Sequence, residues 1–200
     1  IAELQAYGIT RIYSPDDGRA TIGGVVATGI GGPQQFGYGR PRGSVIGMKV
    51  VLANGNVVRV GGRVVKNVAG YDLCKLFTGS FGSLGIITEL NFKLRPRPAR
   101  EATVIATGAI EDLRKSARTI LDLFPVAAEI VSDALFVRFA GNEKGVAYQT
   151  EQALKLLRNG AIVRNDADIW KKIAAARVSE ERICEAPSGT AKVLMERIKK

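Results

Sequence analysis

The stretch TIGGVVATGIGG, residues 21–32, sets five glycines among valine, alanine, isoleucine and threonine. No other segment restricts its own surroundings as tightly. A flexible linker would carry serine and charge instead. A regular helix or strand excludes most glycines, since each costs roughly 0.5–1 kcal/mol relative to alanine. Glycine clustered among apolar residues therefore means that something approaches the backbone closely, either another segment or a flat ligand. If a short helix starts here, Thr21 stands at its head as a cap, and the amides after it suit an anion or the carbonyl edge of a ring. Gly23 and Gly24 would then let a planar ring lie against the backbone. The spacing is neither the dinucleotide-binding G-x-G-x-x-G nor the phosphate-loop G-x-x-x-x-G-K-[ST]. Backbone packing without any ligand is the alternative on composition alone.

The chain has 200 residues, 46% hydrophobic and 24% charged, enough for one domain or two small ones with a real core. No run approaches the roughly 18 apolar residues of a membrane span, and no signal-peptide pattern is present. Cys74 and Cys184 lie far apart, show no metal spacing and read as ordinary thiols of a reducing compartment. Histidine is absent, so no histidine base, nucleophile or metal ligand can come from this sequence, and neither a catalytic nor a metal residue is assigned. The opening IAELQAYGI reads as the tail of a helix already under way, and a preceding segment is expected.

Charge and glycine divide the chain in the same place. Net charge is +10, yet residues 1–100 hold 13 Lys and Arg against 5 Asp and Glu, while residues 101–200 hold 16 against 14. Of the 23 glycines, 18 fall in the first half. Between the halves lies KLRPRPAR, residues 93–100, whose prolines suit an extended connector. Two domains are expected, 1–98 and 99–200.

The second half alternates regularly. ATVIATG (102–108) reads as a strand, and Ile110, Leu113, Ala117, Ile120 and Phe124 fall on one helical face. AAEIVS and ALFVRFAG follow as strands, then a helix in EKGVAYQTEQALKLLRNG that stops at Asn159-Gly160, then the strand AIVRN. The order β-α-β-β-α-β is the split, ferredoxin-like pattern. A helix around Trp170 and a further strand and helix in 181–200 complete the reading, with no catalytic constellation. In the first half, VIGMKVVLANGNVVRVGG reads as two strands joined at Asn54-Gly55, a pair suited to a tight turn with positive φ at both positions. Residues 71–77 read as a short helix, and GSLGIITELNFKLRP as a glycine turn feeding a buried strand. FGYGRPRG (36–43) has the composition of a nucleic-acid-binding tract, but one copy reads better as a solvated basic loop. Lys66, Tyr71 and Asp72 are polar points in an apolar setting, with Lys66 able to face a phosphate or carboxylate.

Three motifs, T-I-G-G-x-x-A-T, K-N-x-x-G-Y-D-L and G-S-x-G-x-L-G-I-I-T-E, follow in order within the stretch from Pro15 to Pro98. In them the chain resembles the FAD-linked oxidases of the vanillyl-alcohol-oxidase type, with a PCMH-type FAD-binding fold. Within that family it resembles the FAD-binding subunits of bacterial glycolate oxidases; residues 99–200 match their cap region more loosely. The resemblance implies an α+β chain: the C-terminal half of a PCMH-type FAD-binding domain, then a ferredoxin-like cap. It implies FAD as cofactor. Asp17 through Thr21 would run along the ribityl chain and ring edge, and Gly23 and Gly24 would pack at the isoalloxazine. Thr28, Gly29, Ile30 and Gly31 would reach the ribityl–pyrophosphate region. Gly82, Ser83, Gly85 and Ile87 would line the adenine or pyrophosphate side. The family's Arg-Gly-Gly-Gly-Thr-like pyrophosphate loop is absent, and VGGR (60–63) does not replace it, so that loop is expected before Ile1.

The function so implied is that of an FAD-binding subunit taking part in oxidation of a 2-hydroxy acid, glycolate to glyoxylate. The implied partners are a homologous FAD-containing catalytic subunit and an iron–sulfur subunit. The implied setting is cytoplasmic, or peripheral at the inner membrane through the complex. A structural subunit that keeps the fold without flavin is the alternative; a nucleic-acid-binding module is the third reading.

Overall fold

The computed structural model describes residues 21–62, 72–157, 159–163, 168–170 and 172–173. The chain divides between Arg97 and Pro98 into two compact units.

In the first unit, α1 (Ile22–Thr28), the single turn α2 (Gln35–Tyr38) and a 3-10 turn (Pro41–Gly43) precede β1 (Val45–Val51) and β2 (Val57–Gly61). Then come α3 (Leu73–Phe77) and β3 (Ile86–Phe92). The sheet is antiparallel in the order β2-β1-β3. Val26 of α1 and Cys74 and Phe77 of α3 are buried with Val45, Met48, Val50 and Val60 in one core. Lys49 pairs with Glu89 directly across the β1–β3 register, at 2.8 Å. Gly61 (φ +67) has no alternative, since a Cβ there would overlap the Ile46 carbonyl oxygen and crowd Cys74 Sγ.

Three expectations change here. The hairpin turn is not the two-residue form with positive φ at both positions. The Gly55 amide donates to Leu52 O at 2.9 Å, and among residues 53–55 only Gly55 is left-handed (φ +81), giving a three-residue loop. Asn54 stays out of the left-handed region because its side chain accepts from the Asn56 amide at 3.0 Å. Strand β3 is not buried: among the described residues it pairs on one side only, and Ile86 is 69% exposed. Finally, FGYGRPRG is mostly exposed, as expected, but not an irregular loop, because it carries the last three residues of α2 and the 3-10 turn and holds Tyr38 beneath Arg95 at 5.7 Å.

The second unit follows the expected alternation: β4 (Arg100–Thr107), α4 (Ile110–Ile120), β5 (Ala127–Val131), β6 (Ala134–Gly141), α5 (Glu143–Leu156) and β7 (Ala161–Val163). The strands are antiparallel in the order β5-β6-β4-β7, which is the split βαββαβ sheet. Ala102, Val104, Ala106, Leu135, Val137 and Phe139 form a core with Leu113 and Ile120 of α4 and Val146 and Ala153 of α5. Alternation along β4 and β6 sends Thr103 and Arg138 to the opposite face. There the Trp170 indole N–H donates to Thr103 Oγ1 at 2.8 Å, and the Arg138 guanidinium meets Glu101 at 2.6 Å and lies 5.9 Å from the Trp170 ring. Trp170 falls among helical residues, as expected. The apolar face of α4 is shorter than the sequence predicts. Ile110 is exposed, and the helix gives way to a 3-10 turn (Leu121–Leu123) that leaves Phe124 left-handed (φ +52) and outside the core. Residues 181–200 and Cys184 lie outside the described residues.

Candidate functional site

Helix α1 is built by its ends. Thr21 Oγ1 accepts from the Gly24 amide at 3.1 Å, closing the N-terminus. At the other end Gly29 (φ +68) caps in the left-handed conformation, its amide donating to Val25 O and Val26 O. The Thr28 hydroxyl donates to Gly24 O at 2.9 Å, so it is committed to the helix itself. Val25 and Val26 point into the core and leave the other face outward.

Residues 79–87 run alongside this helix in the opposite direction. The Gly79 amide donates to Val26 O at 3.0 Å and the Phe81 amide to Ala27 O at 2.8 Å, both at the C-terminal end of α1. Ile87 has its carbonyl oxygen beside Gly23, in the first turn. Ser80, Gly82, Ser83 and Gly85 fold between these points by local turns, with the Ser83 hydroxyl donating to Ser80 O at 2.6 Å. Just before the segment, buried Thr78 donates to Cys74 O at 2.7 Å. The two glycine-rich motifs, more than fifty positions apart in sequence, are therefore one surface.

Thr21, Gly23, Gly24, Thr28, Gly29, Ile30 and Gly31 thus lie on and just beyond α1, beside Gly82, Ser83, Gly85 and Ile87. None of them is fully buried. Asp17, Lys66 and Tyr71 lie outside the described residues. Asp72 is not a ligand-facing point: it caps α3, accepting from the Lys75 amide at 3.3 Å and pairing with Lys75 Nζ at 3.1 Å. The hydrogen bond from the Lys75 side chain holds its carboxyl below the ordinary range. Burial pushes the Cys74 thiol up, so it stays protonated and inert.

The glycines sort by what a Cβ would meet. At Gly29 it would stand 3.2 Å from Gly79 Cα, at Gly31 2.7 Å from Gln35 Oε1, and at Gly85 2.6 Å from Val50 Cγ1. At Gly24 it would press on the capping Thr21 hydroxyl at 3.1 Å. The fold explains Gly29 and Gly85, whose φ is also positive, whereas Gly24 and Gly31 meet side-chain atoms that can give way. Gly23 differs: among the described residues its Cβ would meet only Ile87 O, at an ordinary 3.9 Å, and its φ is not left-handed. Among the described residues neither strain nor packing calls for glycine there, so its bare backbone suits a flat group lying against α1. Sequence reasoning did not single out Phe81, whose positive φ (+54) beside this surface has no sequence signal other than its glycine neighbours. Among the described residues no cluster of acidic or cysteine side chains could hold a metal, and no helix is long and apolar enough to cross a membrane.

Residues 2–61 match the protein family described as FAD binding domain. The glycolate oxidase subunit GlcD of Bacillus subtilis (strain 168) is 44% identical over 126 residues, 62% of this chain and 26% of that protein. The glycolate oxidase subunit GlcE of Escherichia coli (strain K12) is 37% identical over 129 residues, 64% of this chain and 37% of that protein. The chain therefore spans between a quarter and two fifths of the length of these relatives. A solved structure of alkyldihydroxyacetonephosphate synthase superposes with a TM-score of 0.72 at 18% identity, covering 88% of this chain and 40% of that one, a likeness of fold.

Proposed function

From the premise that the chain is of the FAD-linked oxidase, PCMH type, we propose that it is the FAD-binding subunit of a glycolate-oxidase-like complex that oxidises a 2-hydroxy acid. The observation that carries the proposal is the bare backbone at Gly23, beside the antiparallel run of residues 79–87. The residues present fit the flat part of a flavin dinucleotide: a glycine against which the described residues do not pack, with turn glycines beside it. FAD, when bound, supplies the acceptor for the hydride that leaves the hydroxy acid.

The chain's own part is to bind and orient. Thr21 fixes the first turn of α1 against which the ring lies. Gly23 and Gly24 admit the ring; Thr28, Gly29, Ile30 and Gly31 border the ribityl–pyrophosphate region; Gly82, Ser83, Gly85 and Ile87 border the adenine or pyrophosphate side. The resemblance would add Asp17, which lies outside the described residues. The cation excess of residues 1–100 favours the anionic pyrophosphate. No catalytic residue is assigned in this chain; in this reading it pairs with a homologous FAD-containing catalytic subunit and an iron–sulfur subunit as the next electron carrier. Residues 99–200 serve as the cap.

The test is a visible absorption spectrum of the purified protein after incubation with FAD and desalting, followed by anaerobic addition of glycolate or D-lactate. Retained flavin bands that bleach with one of these acids are expected when the complex is assembled. A full-length protein, with the segment expected before Ile1 in place, that stays colourless and that FAD cannot reconstitute refutes the reading and leaves a structural subunit.

A further inference from the structure

Phe81 combines two features that Phe124 shows only at a helix end, and it does so beside the glycine surface of α1. Its backbone is left-handed (φ +54), a conformation that a bulky side chain rarely adopts, and its ring is 73% exposed. Its neighbours Gly79 (φ +83) and Gly82 (φ +75) meet the same backbone demand with glycine. At position 81, where glycine or asparagine would relax the chain, the sequence keeps a large aromatic ring instead. The position is not loose, because the Phe81 amide is anchored to Ala27 O at 2.8 Å and the Gly79 amide to Val26 O at 3.0 Å. The ring is thus held out from the C-terminal end of α1 by a fixed backbone. The space beside it is open, since a Cβ on Gly82 would meet nothing within 4 Å among the described residues.

We propose that Phe81 is a stacking wall for an aromatic ring system of the bound dinucleotide, a positioning residue of the site formed by α1 and residues 79–87. The inference rests on the reading of that site as an FAD site and adds to it the one side chain that supplies a π face. A flat partner that covers the exposed ring makes a contact that offsets the cost held in the backbone. The isoalloxazine and the adenine are both such partners, and flavins without adenine tell them apart.

The experiment uses the holoprotein, stripped of flavin and titrated with FAD, FMN and riboflavin by fluorescence quenching, in wild type and in Phe81→Gly, Phe81→Leu and Phe81→Trp. A melting curve of each flavin-free form runs alongside. Phe81→Gly and Phe81→Leu should weaken FAD binding by about 5- to 150-fold, the range of a lost aromatic stack. Phe81→Trp should hold it near wild type. The flavin-free Phe81→Gly protein should melt no lower than wild type, because glycine relaxes the backbone and little buried surface is lost. A loss that extends to riboflavin assigns the stack to the isoalloxazine; a loss confined to FAD assigns it to the adenine. Equal FAD affinity in Phe81→Gly and wild type overturns the proposal while leaving the FAD site standing. So does full affinity in Phe81→Leu, and so does a lower melting temperature of flavin-free Phe81→Gly with unchanged affinity, which would make the ring a packing element. A wild-type protein that binds none of the three flavins overturns both the proposal and the reading beneath it.

Discussion

A Gly23→Ala substitution in α1 adds one methyl group where the described residues leave room, its only neighbour within 4 Å being Ile87 O at 3.9 Å. In the folded protein without ligand, alanine should raise stability, by about 0.5 kcal/mol, the lower end of its helix advantage because Gly23 lies in the first turn. For a chain of this size that is a rise of roughly 1–2 °C in melting temperature. The same methyl group occupies the face on which the flavin ring is proposed to lie. Overpacking a fitted contact costs about 1–3 kcal/mol, so FAD affinity should fall by about 5- to 150-fold. Gly29→Ala is the counterpart. It forces alanine into φ +68 with its Cβ 3.2 Å from Gly79 Cα. The left-handed conformation alone costs about 1–2 kcal/mol, a fall of roughly 2–8 °C. Differential scanning fluorimetry of the flavin-free proteins and FAD titration by fluorescence quenching read both quantities. Opposite signs at Gly23, stability up and affinity down, are expected. If Gly23→Ala binds FAD as tightly as wild type, the argument that its bare backbone faces the ligand is wrong.

Two further outcomes follow from side-chain pairs. Glu101→Gln removes the carboxylate that meets the Arg138 guanidinium at 2.6 Å, with that arginine 1% exposed. A cost of about 3 kcal/mol is expected, the lower end for breaking a buried pair because Glu101 keeps some solvent access, and it reads as a lower urea midpoint for the second unit. At Asp72 the carboxyl titrates below its ordinary 3.8, chiefly through the hydrogen bond from the Lys75 side chain. The folded value lies below the unfolded one, so this stabilisation is complete above the ordinary carboxylate range and is lost as pH falls through the folded value. An NMR titration of the Asp72 carboxyl should show the depression in wild type and its return to the ordinary range in Lys75→Met.

Most of the second unit is legible along the chain, because its strands and helices declare themselves by local periodicity. The β-branched run at 102–107 and the alternation at 134–141 are strands on their own account, and Asn142 closes its helix by accepting from Gly145 three residues on. The βαββαβ order follows from that reading, as does Thr21 as the cap of α1. The misreadings at β3 and Phe124 turn on what lies beyond the local run, whereas the hairpin turn was decided locally by the Asn54 side chain. Ile86 has the composition of a buried strand residue, yet β3 pairs on one side only among the described residues. Phe124 continues the helical spacing, yet the helix ends four residues earlier.

By itself the sequence determined the local elements, the split between a basic glycine-rich half and a nearly neutral one, and the motifs that carry the flavin-oxidase resemblance. These are properties of neighbours along the chain, set by propensity, capping and charge. Only the tertiary structure decided that, in the candidate site, Gly29 and Gly85 serve the fold while Gly23 lies bare among the described residues, since that distinction is the distance from an absent Cβ to atoms remote in sequence. It also decided that residues 79–87 lie along α1, through Val26 O and Ala27 O, and that Phe81 is held outward beside them. Helical periodicity presents Val25 and Val26 to the core, but the partner that takes up the carbonyls at the C-terminal end of α1 is selected by chain path and close packing, which no local pattern encodes.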